Sequence, residues 1–316
     1  MRVSVEESVA LLDGGDVVAI PTDTVYGLAA SYHNSEAIQK IFTLKGRSKA
    51  NPLIILVPSL ESVFSLVKEV PQDFEKLVAE FWPGALTMVL PANEEKVSEE
   101  IRAGLPTVGF RHPAHPLTQQ LLQIHGPVVA PSANLSGRPS ATCPQHVEHD
   151  FGDDFPVLDG GTCQKGIEST IIGVQEKHWK VIRKGAITLS QLEDVLGYPV
   201  KESTATLPAT SLTIPRARLH LSKESYDGSI KAVLGFEERQ YSGAEIVITL
   251  GSLKDEKSMM QRLHPALREL DERGITDVWV DMSFPRKGIL VVIAERLEAI
   301  GLHQRKLCLW GFSEPA

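Results

Sequence analysis

Short, unbroken apolar runs, each bounded by turn formers, punctuate the first two-thirds of the chain. Val17-Val18-Ala19-Ile20 stops at Pro21, and Leu53-Ile54-Ile55-Leu56-Val57 follows Asn51-Pro52. Runs of this length without alternation predict strands covered on both faces. Further strands are predicted over 87–90, 108–110, 128–130, 169–174 and 181–182. Helical spacing fills some of the gaps. Ala37, Ile38, Ile41 and Phe42 share one face of a predicted helix that Asn34 or Ser35 can cap and Gly46 can end. Helices are also predicted over 117–124 and 190–196, the second opened by a Thr188/Gln191 capping box. Several strands follow one another too closely for crossover helices, which predicts a large sheet of mixed pairing.

From Tyr198 to Ser225 the texture changes. Prolines at 199, 208 and 215 interrupt a Ser/Thr-rich stretch with no sustained period, which reads as an interdomain linker over 201–225. Beyond it, strands over 246–250, 278–280 and 307–310 alternate with helices over 259–270 and 290–300. That order predicts a small parallel, Rossmann-like sheet. It lacks GxGxxG after its first strand, so nothing argues for a bound dinucleotide.

The 316 residues and their 42% hydrophobic content supply enough core for two domains of about 100–200 residues each. Three widely spaced cysteines without a CxxC pair argue against a zinc finger, an Fe–S site or a disulfide scaffold. The acidic N-terminal stretch is unlike a signal peptide, and no apolar run approaches the roughly 18 residues of a membrane span. A cytoplasmic protein is expected. Net charge is −8, with 16 Lys+Arg against 24 Asp+Glu in residues 1–200 and 16 of each beyond. A duplex-binding protein normally carries a basic excess, so a small anionic ligand is the better expectation.

Walker A, HExxH, GxSxG and EF-hand patterns are absent. Five polar turns at predicted strand or helix ends remain. They are Pro21-Thr22-Asp23-Thr24-Val25-Tyr26-Gly27, Lys45-Gly46-Arg47-Ser48-Lys49-Ala50-Asn51-Pro52, Thr107-Val108-Gly109-Phe110-Arg111-His112-Pro113, Ala130-Pro131-Ser132-Ala133-Asn134, and Gly166-Ile167-Glu168-Ser169-Thr170 with Arg183. Singly, each reads more simply as local turn bonding or as solvated charge at a helix end. Together they set hydroxyls, backbone donors and cations at the sheet edge where α/β proteins bind ligands.

In order and spacing, PTDTVYGLAA, KGRSKANPLIILV, FWPGALTMVL, LPTVGFRHPAHP, APSANLSGRPS and GIESTII with VIRKG resemble the YrdC-like family of L-threonylcarbamoyl-adenylate synthases over about residues 8–197. The linker and C-terminal module resemble its two-domain branch. The resemblance implies an α/β fold: a YrdC-like twisted mixed sheet (1–200) with flanking helices around a concave site, then the linker and a small Rossmann-like α/β domain (226–316). It implies that threonine, bicarbonate and ATP, with Mg2+ accompanying the ATP, give threonylcarbamoyl-AMP and pyrophosphate for tRNA modification. Separate tRNA-modifying proteins take the product, with at most weak RNA contact and no membrane. Carried over by motif, Lys45, Arg47, Ser132 and Asn134 are catalytic. Arg47, Asn51, Thr107, Ser132, Ser140 and Arg183 bind ATP, and Thr24, Arg111, Ala130 and Ser169 bind threonine. No dedicated metal ligands are implied.

Two positions depart from the family. Leu56 stands where a histidine is frequent, and Leu212-Thr213-Ile214-Pro215 replaces a His-Tyr-Ala-Pro motif that folds over the nucleotide. The altered linker keeps a regulatory homologue without synthase activity open as an alternative. A non-catalytic RNA-binding module and the carbamoyl-adenylate domain of hydrogenase-maturation proteins are further alternatives, each less well matched by the charge balance or by the neighbouring modules.

Overall fold

A computed structural model describes residues 1–204 and 214–309, with side chains of the last helix described as far as Arg305. It divides into two compact units, residues 1–136 with 140–210, and residues 137–139 with 211–316.

The first unit is built on ten strands: β1 (Arg2–Val3), β2 (Val18–Ile20), β3 (Gly27–Ser31), β4 (Ile54–Leu56), β5 (Leu86–Pro91), β6 (Thr107–Arg111), β7 (Val128–Val129), β8 (Val157–Leu158), β9 (Thr170–Gln175) and β10 (His178–Arg183). Their order is β1-β8-β2-β3-β7-β4-β6-β5-β9-β10. Pairing is mixed, as the short connections predict. β4 runs parallel to β6 and β5 to β9, while β3–β7, β4–β7 and β5–β6 are antiparallel. Ile55 and Leu56 are buried, as expected for a strand covered on both faces. One core joins Leu12, Val18, Ile20, Leu121, Leu122 and Val128 from strands and flanking helices.

Local signals account for the helix that delivers the first functional residues. Asn34 Oδ1 accepts from the Ala37 N–H at 3.0 Å, and Gly46 ends helix Ser35–Lys45 at φ 60, a left-handed turn that suits glycine. Its buried stripe is Ala37, Ile38, Ile41, Phe42 and Lys45. Lys45 lies four residues beyond Ile41, so the helical period directs its side chain inward with the apolar residues.

Helix Leu189–Leu196 begins with the expected capping box: Thr188 Oγ1 accepts from the Gln191 N–H and Gln191 Oε1 from the Thr188 N–H. Thr188→Ala is expected to lower stability by about 1 kcal/mol, read as a fall in the urea midpoint with unchanged slope.

The second unit carries a four-stranded, all-parallel sheet, β11 (Arg218–Ser222), β12 (Ala232–Gly235), β13 (Ile246–Thr249) and β14 (Asp277–Asp281), in the order β11-β14-β12-β13. Two expectations are corrected. The strand over 307–310 does not form, because helix Ile289–Leu309 runs through its first three residues; Trp310 lies outside the described residues. A brief apolar run cannot by itself distinguish a strand from the end of a long helix. The linker over 201–225 also contains structure. Residues 218–222 form β11, with Leu219 buried between the more exposed Arg218 and His220 in a period-two pattern. At its other end, Lys201 and Ser203 bond Val181 of β10. Leu212 and Thr213 lie outside the described residues, while Ile214 and Pro215 fall in the second unit. Among the described residues no helix is long and apolar enough to cross a membrane.

Candidate functional site

Loops from distant parts of the first unit are joined by main-chain hydrogen bonds. Leu28 N–H donates to the Pro131 carbonyl (2.8 Å), Ala133 N–H to Tyr26 (2.7 Å) and Tyr26 N–H to Ala141 (2.8 Å). Lys165 and Gly166 donate to the carbonyls of Asp23 (2.9 Å) and Thr24 (3.0 Å). Tyr26 adds a side-chain tie, its hydroxyl donating to the Gly161 carbonyl at 2.8 Å and accepting from the Gly160 N–H at 3.1 Å. The polar turns at 21–27, 130–134 and 163–170 therefore form one assembly.

Lys45 is joined to that assembly. Its Nζ donates to the Ser132 carbonyl and, at 2.5 Å, to the Asn134 carbonyl, while the Ser136 N–H caps the Lys45 carbonyl at 2.8 Å. The lysine-arginine and serine-asparagine tips thus meet. Lys45 is only 3% exposed. Burial pushes its amine down to about 7, with the Arg47 charge acting in the same direction and Asp150 opposing. Arg47 is half-buried, donates from Nη2 to the Pro52 carbonyl at 3.0 Å, and is pushed down to about 10 by desolvation. Lys45 holds the Ser132–Asn134 turn, whereas Arg47 is the more exposed cation of the two.

Arg111, at the end of β6, is 5% exposed and fixed at three points. Nε donates to the Gly84 carbonyl (2.8 Å), Nη1 to Thr24 Oγ1 (2.7 Å) and Nη2 to Asp23 Oδ1 (2.5 Å). Asp23 also accepts from the Ala114 N–H at 3.0 Å, and its buried Oδ2 has no hydrogen-bond partner. Burial raises the Asp23 carboxyl, but the Arg111 charge and these hydrogen bonds outweigh it and hold the group below its ordinary value. Thr24 is fully buried, with its hydroxyl 2.9 Å from that of Thr22.

A third group lies where β9 begins and β10 ends. Ser169 Oγ is 2.8 Å from Thr87 Oγ1, and Arg183 Nη2 donates to the Ser169 carbonyl at 2.8 Å. Ser140 Oγ donates to Glu168 Oε1 at 2.7 Å. Close approach requires glycine at 185, where a Cβ would come within 2.4 Å of the Glu168 carbonyl oxygen and 2.5 Å of the Ser169 carbonyl carbon. Gly185→Ala must push this turn apart, and an overpacking loss of about 1–3 kcal/mol is expected in urea unfolding.

The expected residues divide spatially. Ile54 pairs with Gly109, and this parallel register sets Pro52 level with Thr107, so Asn51 and Thr107 sit where β4 and β6 begin. Arg111 is four strand positions from Thr107, about 13 Å away at roughly 3.3 Å per residue. Ala130 donates its N–H to the Ile54 carbonyl at 3.0 Å, close to the start of β4. Thr107 is thus not brought beside Arg111. An elongated ligand can reach both ends. Leu56, which replaces the frequent histidine, is buried and pairs with Arg111. Sequence reasoning passed over Asp23, Thr87 and Glu168 as site residues. Asp23 and Glu168 lie inside the TDT and GIEST motifs, where an acidic residue next to hydroxyls was the available signal.

Sequence comparison places a known family on this geometry: a family model for Sua5, YciO and YrdC proteins, described as telomere recombination, matches residues 10–185. The chain belongs to the Sua5/YciO/YrdC family. A threonylcarbamoyl-AMP synthase of Bacillus subtilis (strain 168) is 36% identical over 93% of this chain and 91% of its own length. The protein of the same name from Pyrococcus abyssi (strain GE5 / Orsay) is 36% identical over 90% of this chain and 89% of its own. The crystal structure of P. abyssi Sua5 complexed with L-threonine superimposes with a TM-score of 0.86 at 31% identity, covering 96% of this chain and 97% of that one. Sua5 architecture therefore extends through both units, including the large mixed sheet and the second, parallel one.

Proposed function

We propose that the chain is an L-threonylcarbamoyl-adenylate synthase. The threonine amino group adds to carbon dioxide from bicarbonate, giving N-carboxy-threonine and water. A carbamate oxygen then attacks the α-phosphorus of ATP; the bond to the β-phosphate oxygen breaks and pyrophosphate leaves. The products are threonylcarbamoyl-AMP and pyrophosphate.

The observation that carries this reading is the joining of the Lys45–Arg47 and Ser132–Asn134 turns, in the same assembly as the Thr24–Arg111 pair. The substrate supplies the nucleophile, so the protein's task is placement and charge stabilisation. Ordering the reactants can contribute about 7–11 kcal/mol, and fixed cations stabilise charge developing on phosphate. In this proposal Arg47, Asn51, Thr107, Ser132, Ser140 and Arg183 receive ATP, with Lys45 fixing the turn that carries Ser132 and Asn134. Arg111 and Thr24 receive threonine with Ala130 and Ser169, and the planar arginine fork suits the amino acid's carboxylate. Asp23 holds that fork in orientation.

Mg2+ enters with ATP, held by phosphate oxygens and water. Among the described residues no three His, Cys, Asp or Glu side chains converge on a metal position. In this proposal separate tRNA-modifying proteins use the adenylate, and the enzyme works in the cytoplasm.

Pyrophosphate release from ATP tests the reading. Release is expected only when threonine and bicarbonate are both present. Absence of release with every amino acid would favour a regulatory homologue, and release independent of threonine would overturn the assignment.

A further inference from the structure

The second unit contains a cavity that the synthase chemistry does not use. Its sheet reverses winding direction between β12 and β14: β12 connects onward to its outer neighbour β13, whereas helix Ile289–Leu309 leaves β14 and packs back on β11. Gln304 marks that packing, donating to the Ala217 carbonyl at 2.8 Å and accepting from the Leu219 N–H at 3.0 Å. In open parallel sheets, ligands bind outside the carboxyl ends of the strands at such a reversal. A cavity of about 390 Å³ lies there, lined by the turns that follow β11, β12 and β14.

Its walls are prearranged. Trp279 and Asp281 are two positions apart on β14 and share one face. The rings of Tyr226 and Tyr241 lie 5.3 and 6.0 Å from that of Trp279, centroid to centroid. The Tyr241 ring folds over Gly235, where a Cβ would meet it at 2.3 Å. Its hydroxyl donates to Asp281 Oδ2 at 2.8 Å and accepts from the Phe236 N–H at 2.9 Å. Asp281 is 2% exposed; Arg239 Nη1 donates to its Oδ2 at 2.5 Å, and the Ser283 hydroxyl and N–H donate to its Oδ1 at 2.6 and 3.0 Å. The buried acid is saturated from within and pairs with Arg239, whose Nη2 also donates to the Ser283 carbonyl at 2.7 Å, so the exposed rim carries Lys223 beside Glu224.

We propose that this cavity is a binding site for a nucleoside monophosphate. The half-buried Tyr226 and Tyr241 rings, backed by the buried Trp279, suit a planar base, because stacking accepts any π face, and Lys223 at the rim suits a phosphate. The volume is near the lower end of the roughly 300–1,000 Å³ typical of small-molecule sites, which fits one nucleotide rather than two. The missing glycine-rich fingerprint agrees with that size. The site lies entirely within the second unit and does not depend on synthase activity.

Titration of the 15N-labelled full-length chain with AMP tests it, read at the assigned Trp279 indole and at the amides of residues 224–226 and 239–242. Saturable shifts at these positions are expected. Lys223→Glu and Tyr226→Leu should each weaken them by roughly tenfold, about the loss of one charged hydrogen bond or one stacked ring. Lys223 is solvent-exposed, so its variant tests the site without disturbing the core. Shifts confined to the first unit, equal shifts with inorganic phosphate, or unchanged affinity in both variants would overturn the proposal.

Discussion

Arg111→Ala is expected to lower unfolding free energy by about 3–5 kcal/mol and to abolish saturation by threonine. Removing one member of a buried ion pair leaves the other charged and dry, and that residue dominates the loss. Here it is Asp23, 4% exposed, with one carboxylate oxygen already lacking a hydrogen-bond partner. Asp23→Ala/Arg111→Ala should therefore cost less than the sum of the single variants in urea unfolding. Asp23→Asn separates positioning from folding. It keeps the shape but gives up the charge, so threonine KM should rise more than kcat falls if Asp23 orients the arginine. Equal stability of Arg111→Ala and wild type would contradict the buried pairing. Acid has the same origin of effect. Because the folded Asp23 carboxyl lies below its ordinary 3.8, the pair's contribution is present above that value and is lost as pH falls through the folded one.

The second large effect concerns Lys45. The unfolded chain keeps its proton up to about 10.5, while the folded chain releases it near 7. Between those values the unfolded state binds more protons, so the contribution of Lys45 to stability rises with pH across that window. Lys45→Met removes the titration and leaves the Ser132 and Asn134 carbonyls without their donor, at a cost of about 1–3 kcal/mol for each unsatisfied group. The expected result is a stability difference, wild type minus variant, that grows from pH 7 to pH 10, measured by urea midpoints. Pyrophosphate release should fall by about a hundredfold, since displacement of a positioning turn by 1 Å can have that effect. A pH-independent difference would mean that the buried amine does not titrate as described.

Local rules with a stereochemical cause were legible before any coordinates. Asn34 and Gly46 bound the helix as their side-chain chemistry requires, and the Thr188/Gln191 box opens another. The mixed pairing of the large sheet followed from connection lengths. Other elements were hidden for identifiable reasons. Helix Val5–Asp13, opened by a Ser4/Glu7 capping box, is missing from the sequence-based assignment although that box is a local signal. β11 was lost among linker prolines, its two alternating leucines being too brief a signal. The end of the last helix imitated a strand because three or four apolar residues satisfy either period. Motif order pointed to turns that the structure joins by hydrogen bonds, but not to the internal neutralisation of Arg111 by Asp23 or the burial of Lys45 under two carbonyls. Those depend on contacts between segments 87–89 residues apart, which no local pattern encodes.

The turns around the first unit's ligand region are laced to one another largely through peptide groups, as in the bonds of Leu28 to Pro131 and Gly166 to Thr24. Peptide groups survive almost any replacement except proline, so the chassis is insulated from the chemistry it displays. A lineage, or a designer's library, can exchange the protruding groups one at a time and retune which small ligand is admitted without first rebuilding the frame.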